Sequence, residues 1–356
     1  MTSLLIDKIA RYTSLDAPAG FEEPVLQAAK ADLEPYCDRV EVDMRGNIYG
    51  EKTGTGGPRV MITAHADEIG FQVTSILPGG FLRFCKIGGP TSMVLPGQRV
   101  RVLASRPIEG VIGVKPGHVL SAAESHQVPA IDQLYIDVGA VDQQQVEDWG
   151  IEVGTPAVFV GELTATENPG RYFGKCIDNR MGVVSVIEAA RCLHDKQPAA
   201  TCCYVIAVEE EVGLRGALVA AQHAKPDVVI AIDTTPAGGT PDLAADQLPW
   251  HIGQGPLLKV RETRGVLTHG PLRQLLRDVA AKHNIPYQLI VDTAGVTDAT
   301  SAQQASGQIA AAVIGLARRY SHSAVEMFDL PDVQHIIDWT VAAVESLDSI
   351  EGLYRA

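Results

Sequence analysis

The apolar positions fall into two textures along the chain. At the start, Val25, Leu26, Ala29 and Leu33 recur at helical spacing after Gly20, and an earlier helix is expected to run to about Tyr12. Val40–Val42 and Asn47–Gly50 read as short strands joined at Arg45-Gly46, and the unbroken run Val60-Met61-Ile62-Thr63-Ala64 reads as a buried strand ending at His65. After Gly70 the texture changes. Six short runs, Phe71–Ile76, Phe81–Ile87, Arg99–Leu103, Ile108–Val114, Leu134–Val138 and Ala157–Val160, alternate with turns such as Pro78-Gly79-Gly80 and Pro96-Gly97. From Asp178 onward long apolar strands alternate with amphipathic helices: Tyr204–Val208, Val228–Ile232, Tyr287–Val291 and Ala310–Leu316 as strands, and Gly213–Ala224, Pro271–His283 and Val333–Ile350 as helices.

The expected fold class is therefore α/β. A mostly parallel sheet carries helices on both faces and is interrupted by a small all-β domain. The expected divisions are a catalytic domain in two parts, 1–68 and 164–356, around an inserted β domain at 69–163. No repeat or low-complexity segment is visible.

Composition narrows the function. The balance of 46% hydrophobic and 20% charged residues is that of a globular protein, and the net charge of −14 disfavours a polyanionic partner, so nucleic acid is not expected. No run of apolar residues is long enough for a membrane span or a secretion signal, which predicts a cytoplasmic protein with reduced thiols. The six cysteines form no C-x-x-C pair. Adjacent Cys202 and Cys203 lie in an expected strand and should fill the core on opposite faces.

Candidate chemistry lies just after the strands. His65-Ala66-Asp67-Glu68 follows the first buried strand, Glu209-Glu210-Glu211 the second, Asp233 the third, and Arg318-Arg319-Tyr320-Ser321-His322 the last, while Asp178 opens a helix. Carboxyl ends of parallel strands form the ligand crevice of open α/β sheets. Histidine and carboxylate donors without thiolates suit two divalent ions, zinc first, with cobalt or manganese tolerated. Alternation along an extended chain puts His65 and Asp67 on one side, so Asp67 could orient the imidazole. Read singly, each group has a plain structural explanation: a strand-end histidine, a helix cap at Asp178-Asn179, a solvated acidic turn. Their order and convergence favour a shared site. His118, Glu124 and His126 in the β region read as loop residues.

In that order the chain resembles the tetrahedral (TET) and glutamyl aminopeptidases, family forty-two of the metallopeptidases, over nearly its whole length. The resemblance rests on Ala64–Gly70, Lys175–Arg180, Glu210–Ala217, Ile232-Asp233, Thr297-Asp298-Ala299 and Arg319–Ser323. It implies that Asp178 bridges two metals, that His65 and Asp233 complete one site and Glu211 and His322 the other, that Glu210 is the general base, and that Asp67 orients His65. It further implies peptide substrates, a zinc aminopeptidase-like fold, and dimers assembling into a dodecamer through the β domain. The chain departs from the family pattern at Glu209, where glutamine is usual, at Gly295-Val296, and in Gly88–Ser92, which lacks an aromatic residue. Other metal-dependent amide hydrolases, a carboxypeptidase or a deacylase, share such a metal arrangement. A glucanase is a further alternative, although 5% aromatic residues is a thin supply for sugar stacking. No G-x-S-x-G motif supports a serine hydrolase.

Overall fold

The computed structural model describes residues 2–354. Helices α1 (Thr2–Thr13) and α2 (Glu23–Leu33) lead into β1 (Arg39–Val42), β2 (Ile48–Lys52) and β3 (Arg59–His65). Six strands follow: β4 (Gly70–Ile76), β5 (Leu82–Ile87), β6 (Arg99–Leu103), β7 (Pro107–Gly113), β8 (Tyr135–Asp137) and, after the short α3 (Gln143–Asp148), β9 (Pro156–Phe159). The chain then runs through β10 (Thr164–Ala165), β11 (Arg171–Gly174), α4 (Ile177–Leu193), β12 (Thr201–Ala207), α5 (Arg215–Ala224), β13 (Val228–Pro236) and β14 (Leu257–Arg261). It ends with α6 (Gly270–His283), β15 (Gln288–Val291), α7 (Asp298–Ala302), β16 (Ala310–Arg318), β17 (Glu326–Asp329) and α8 (Leu330–Glu345).

The main sheet has eight strands in the order β1-β2-β12-β3-β13-β16-β14-β15. Its centre, β12-β3-β13-β16, is parallel, and β14 is parallel to β15. The β1-β2 hairpin joins β12 antiparallel, and β14 runs antiparallel to β16. The sheet is therefore mixed: its centre and the β14-β15 pair match the mostly parallel expectation, and the other pairings do not. Hydrophobicity records burial but not strand direction, and that is why the antiparallel margins do not show in the apolar pattern.

Alternation sorts the central side chains between two cores. Ile62, Cys202, Tyr204, Ile230 and Ile314 face α1, α2, α4 and α8. Met61, Cys203, Ala231 and Val313 face the alanine surfaces of α5 and α7. Cys202 and Cys203 thus pack on opposite faces, both buried. The six strands β4-β5-β8-β7-β6-β9 close into a barrel with its own core, built around Phe71, Phe84 and Phe159. Arg101 of the barrel reaches Asp16, which also takes the buried Lys175 at 2.8 Å; Lys175 in turn pairs with Glu68. No described helix is long and apolar enough to cross a membrane.

Candidate active site

The carboxyl edge of the parallel centre brings together His65, Asp178, Glu210, Glu211, Asp233 and His322. They line one cavity of about 720 Å³. His65 is the last residue of β3, and Asp233 lies inside β13 one strand away. Glu210 and Glu211 sit in the turn between β12 and α5. His322 follows β16 with φ +57°, a left-handed conformation that helps bend its ring back to the sheet edge. At the start of α4, Asp178 and Asn179 have non-helical dihedrals, and the peptide between them is cis. Asn179 caps the helix proper, its Oδ1 accepting the Gly182 N–H at 3.0 Å. Asp178 is left to face the cavity.

The distances divide the donors into two groups around Asp178. His65 Nε2 lies 3.2 Å from Asp178 Oδ1 and 3.7 Å from Asp233 Oδ1. His322 Nε2 lies 3.4 Å from both Asp178 Oδ2 and Glu211 Oε1. In each trio, His65/Asp178/Asp233 and Asp178/Glu211/His322, the ligand atoms lie within 4.8 Å of one another. Ligands about 2.0–2.2 Å from a tetrahedral ion are spaced about 3.3–3.6 Å apart. The four histidine–carboxylate spacings, 3.2 to 3.7 Å, lie within about 0.1 Å of that range, the donors are nitrogen and oxygen, and Asp178 Oδ1 is buried with no hydrogen-bond partner. The residues fit a pair of divalent cations.

Electrostatics agree. Burial opposes the His65 imidazolium, but Glu210, Asp178, Asp233 and Asp67 outweigh it and raise its pKa well above the ordinary value. His322 is likewise pushed up to about 9, burial being overcome by Asp178 and Glu211. Burial, reinforced by Asp178, lifts Glu211 to about 8, and burial lifts Glu210 well above the usual carboxylate range against the pull of His65. So many buried acids crowded together attract cations.

The backbone around the site is held by further carboxylates. Asp67 is fully buried; its Oδ1 accepts the Glu210 N–H at 3.0 Å and its Oδ2 the Glu211 N–H at 2.9 Å. His65 Nδ1 is nearer the Asp67 carbonyl oxygen, at 3.1 Å, than its carboxylate, at 3.5 Å. Glu209 turns away and pairs with Arg45 at 2.8 Å, which leaves its two neighbours to face the cavity. The β4–β9 barrel contributes Gly89, whose carbonyl lies 2.9 Å from His322 Nδ1 and leaves Nε2 directed at Asp178 and Glu211.

Glu326 belongs to no motif of the sequence, yet it supports the site. Its Oε2 accepts the Asp178 N–H at 3.0 Å and its Oε1 the His322 N–H at 2.8 Å, so one buried acid fixes two candidate ligands. A glutamate entering the buried strand Glu326–Asp329 is the one signal of it that the chain carries. Two buried cations, Arg318 and Lys259, also reach the cavity wall; Lys259 is held by Asp292 at 2.9 Å and Glu262 at 3.2 Å. Cys176 packs its thiol against the Thr13 carbonyl instead of joining the cluster. His118, Glu124 and His126 are exposed, and Glu124 pairs with Lys115.

Comparison with known proteins decides the family. The model of the M42 glutamyl aminopeptidase family matches residues 46–339. The chain belongs to that family. It is thus a peptidase, and M42 membership implies dependence on divalent metal ions. The chain is 33% identical over 338 residues to the lysyl aminopeptidase of Pyrococcus furiosus, covering 94% of each chain. A solved TET aminopeptidase from a marine sediment Thaumarchaeota archaeon superposes with a TM-score of 0.95 at 31% identity, over 99% of this chain and 98% of that one. The TET1 peptidase of Pyrococcus horikoshii, which can assemble into a tetrahedron or a large octahedral shell, gives a TM-score of 0.85 at 29% identity, over 96% and 99%.

Proposed function

We propose that the chain removes amino-terminal residues from peptides with two divalent ions and Glu210 as general base. The observation that carries this reading is the pair of donor trios sharing Asp178, at tetrahedral ligand spacing. His65, Asp233 and Asp178 Oδ1 would hold one ion; Glu211, His322 and Asp178 Oδ2 the other. Zinc fits this donor set best, with cobalt or manganese as substitutes. When bound, the ions supply Lewis acidity to a water and to the scissile carbonyl.

The chain's own groups do the rest. Glu210 is not needed by either trio. Its carboxylate lines the cavity within 4.0 Å of His65 Nε2, where it can take a proton from the attacking water and return it to the leaving amine. Asp67 holds the turn that aims it. The surplus of carboxylates favours a substrate with a free α-ammonium, as an exopeptidase requires. Family membership does not favour the carboxypeptidase, deacylase or glucanase alternatives.

We further propose that the chain self-associates, as the TET1 peptidase does; in this proposal dimers build a dodecamer through the inserted β domain at 69–163, in the cytoplasm. The enzymatic reading is tested with aminoacyl p-nitroanilides. Activity should vanish on chelation and return with about two equivalents of zinc or cobalt. Undiminished turnover in fully stripped protein would contradict it.

A further inference from the structure

Arg318 closes β16, in register with Pro236, and its side chain turns into the protein: it is 2% exposed. A guanidinium is a rigid fork of donors that keeps its charge even when buried. Here it is engaged on three sides. Nε donates to Thr234 Oγ1, one terminal nitrogen to Glu326 Oε1 at 2.6 Å, and the other to Asp178 Oδ2.

The two oxygens of Asp178 are therefore unlike. Oδ1, on the His65 side, has no hydrogen-bond partner. Oδ2, on the His322 side, is in contact with a buried cation. An ion bound to Oδ2 about 2.1 Å away would lie within about 5 Å of the guanidinium nitrogen that also touches that oxygen. In a buried setting such like-charge repulsion exceeds what one hydrogen bond returns. Glu326 offsets part of Arg318's charge, but its two oxygens are also engaged by the backbone N–H groups of Asp178 and His322.

We propose that Arg318 is a resident competitor for the ion held by Asp178, Glu211 and His322, weakening that ion selectively over the one held by His65 and Asp233. This rests on the two-ion reading above. Arg318 would also act as a stand-in cation, keeping Asp178 and Glu326 in place before the second ion binds.

The test uses full-length chain stripped by chelation, as wild type, Arg318→Gln and Arg318→Lys, with circular dichroism to verify folding. Each is titrated calorimetrically with Co²⁺ alone. In Arg318→Gln the weaker of two binding events should tighten about tenfold or more, and the tighter event should change less than about threefold. Arg318→Lys keeps the charge and should stay close to wild type. Adding His322→Ala to Arg318→Gln should abolish the tightened event. If the glutamine variant does not fold when stripped, Arg318→Met, which fills similar volume, takes its place. A second event unchanged or weaker without the guanidinium, or lysine and glutamine variants that behave alike, would overturn the proposal while leaving two ions in place. Wild-type and Arg318→Gln proteins that both bind fewer than two ions would overturn the two-ion reading itself, and this proposal with it.

Discussion

Asp67→Asn separates two roles that one carboxylate could have. The side chain is fully buried, and each oxygen accepts one backbone N–H, from Glu210 at 3.0 Å and Glu211 at 2.9 Å. The amide has the same shape but only one acceptor. Whichever way it turns, its NH₂ meets one of those N–H groups donor to donor. One charge-assisted bond is lost, about 1.5–3 kcal/mol, and the other becomes neutral, about 1 kcal/mol, a total of about 3 kcal/mol. With an unfolding entropy of about 2.1 cal/mol/K per residue, a chain of this length melting as one unit should lose about 4 °C. His65 should keep its orientation, because its Nδ1 is 3.1 Å from the Asp67 backbone carbonyl, which the substitution leaves alone. The ion on the His65 side should therefore remain, while turnover falls about tenfold or more as Glu210 loses its aim. Differential scanning fluorimetry, plasma emission and p-nitroanilide turnover measure the three effects. A melting point within about 1 °C of wild type together with normal turnover would refute the clamp. Loss of the His65-side ion at unchanged melting temperature would show that Asp67 acts through the imidazole instead.

Three further outcomes follow from the same geometry. Gly89→Ala sets a Cβ 3.0 Å from His322 Nδ1, so the ring must shift; metal analysis should fall toward one ion per chain while circular dichroism is unchanged. Glu22 is pushed up to about 7 by burial, with Asp67 adding to it, so between its usual value and that point the folded chain holds a proton that the unfolded chain has released. Native stability from this group is full at low pH and is lost as pH rises through about 7; Glu22→Gln should therefore raise the melting point more at about pH 8 than at about pH 5, and equal effects would contradict this. Replacing residues 69–163 with a short linker should leave a soluble but smaller assembly, and light scattering that returned the parent mass would remove the β domain from the assembly proposal.

Much of this arrangement is legible in the order of the residues, and the parts that are not have physical reasons. The six barrel strands are legible because glycine and proline turns bracket each apolar run, from Phe71–Ile76 to Ala157–Val160. His65 and Asp233 are legible because each ends or interrupts an apolar strand with a group that hydrocarbon neighbours cannot satisfy. β14 is not legible: Leu257-Leu258 is too short an apolar run to mark a strand, and nothing in it records that the strand turns against β16. Arg318 is hidden for a related reason. The apolar run marks the strand to Leu316, whereas the ladder continues to Arg318, and those two extra residues turn a polar tail into a buried ion pair. Glu326 is missed because it acts on the site through the backbone N–H groups of Asp178 and His322 and through Arg318, itself hidden, and no spacing along the chain records those contacts.

The central claim is most directly tested by Glu210→Gln beside Glu211→Gln, with metal content and turnover measured on the same preparations. Glutamine matches the shape of glutamate but cannot take a proton from water. Glu210→Gln should keep both ions and lose about 100- to 10,000-fold in turnover, whereas Glu211→Gln should lose the ion on the His322 side together with activity. Near-normal turnover in Glu210→Gln with both ions bound would contradict the account.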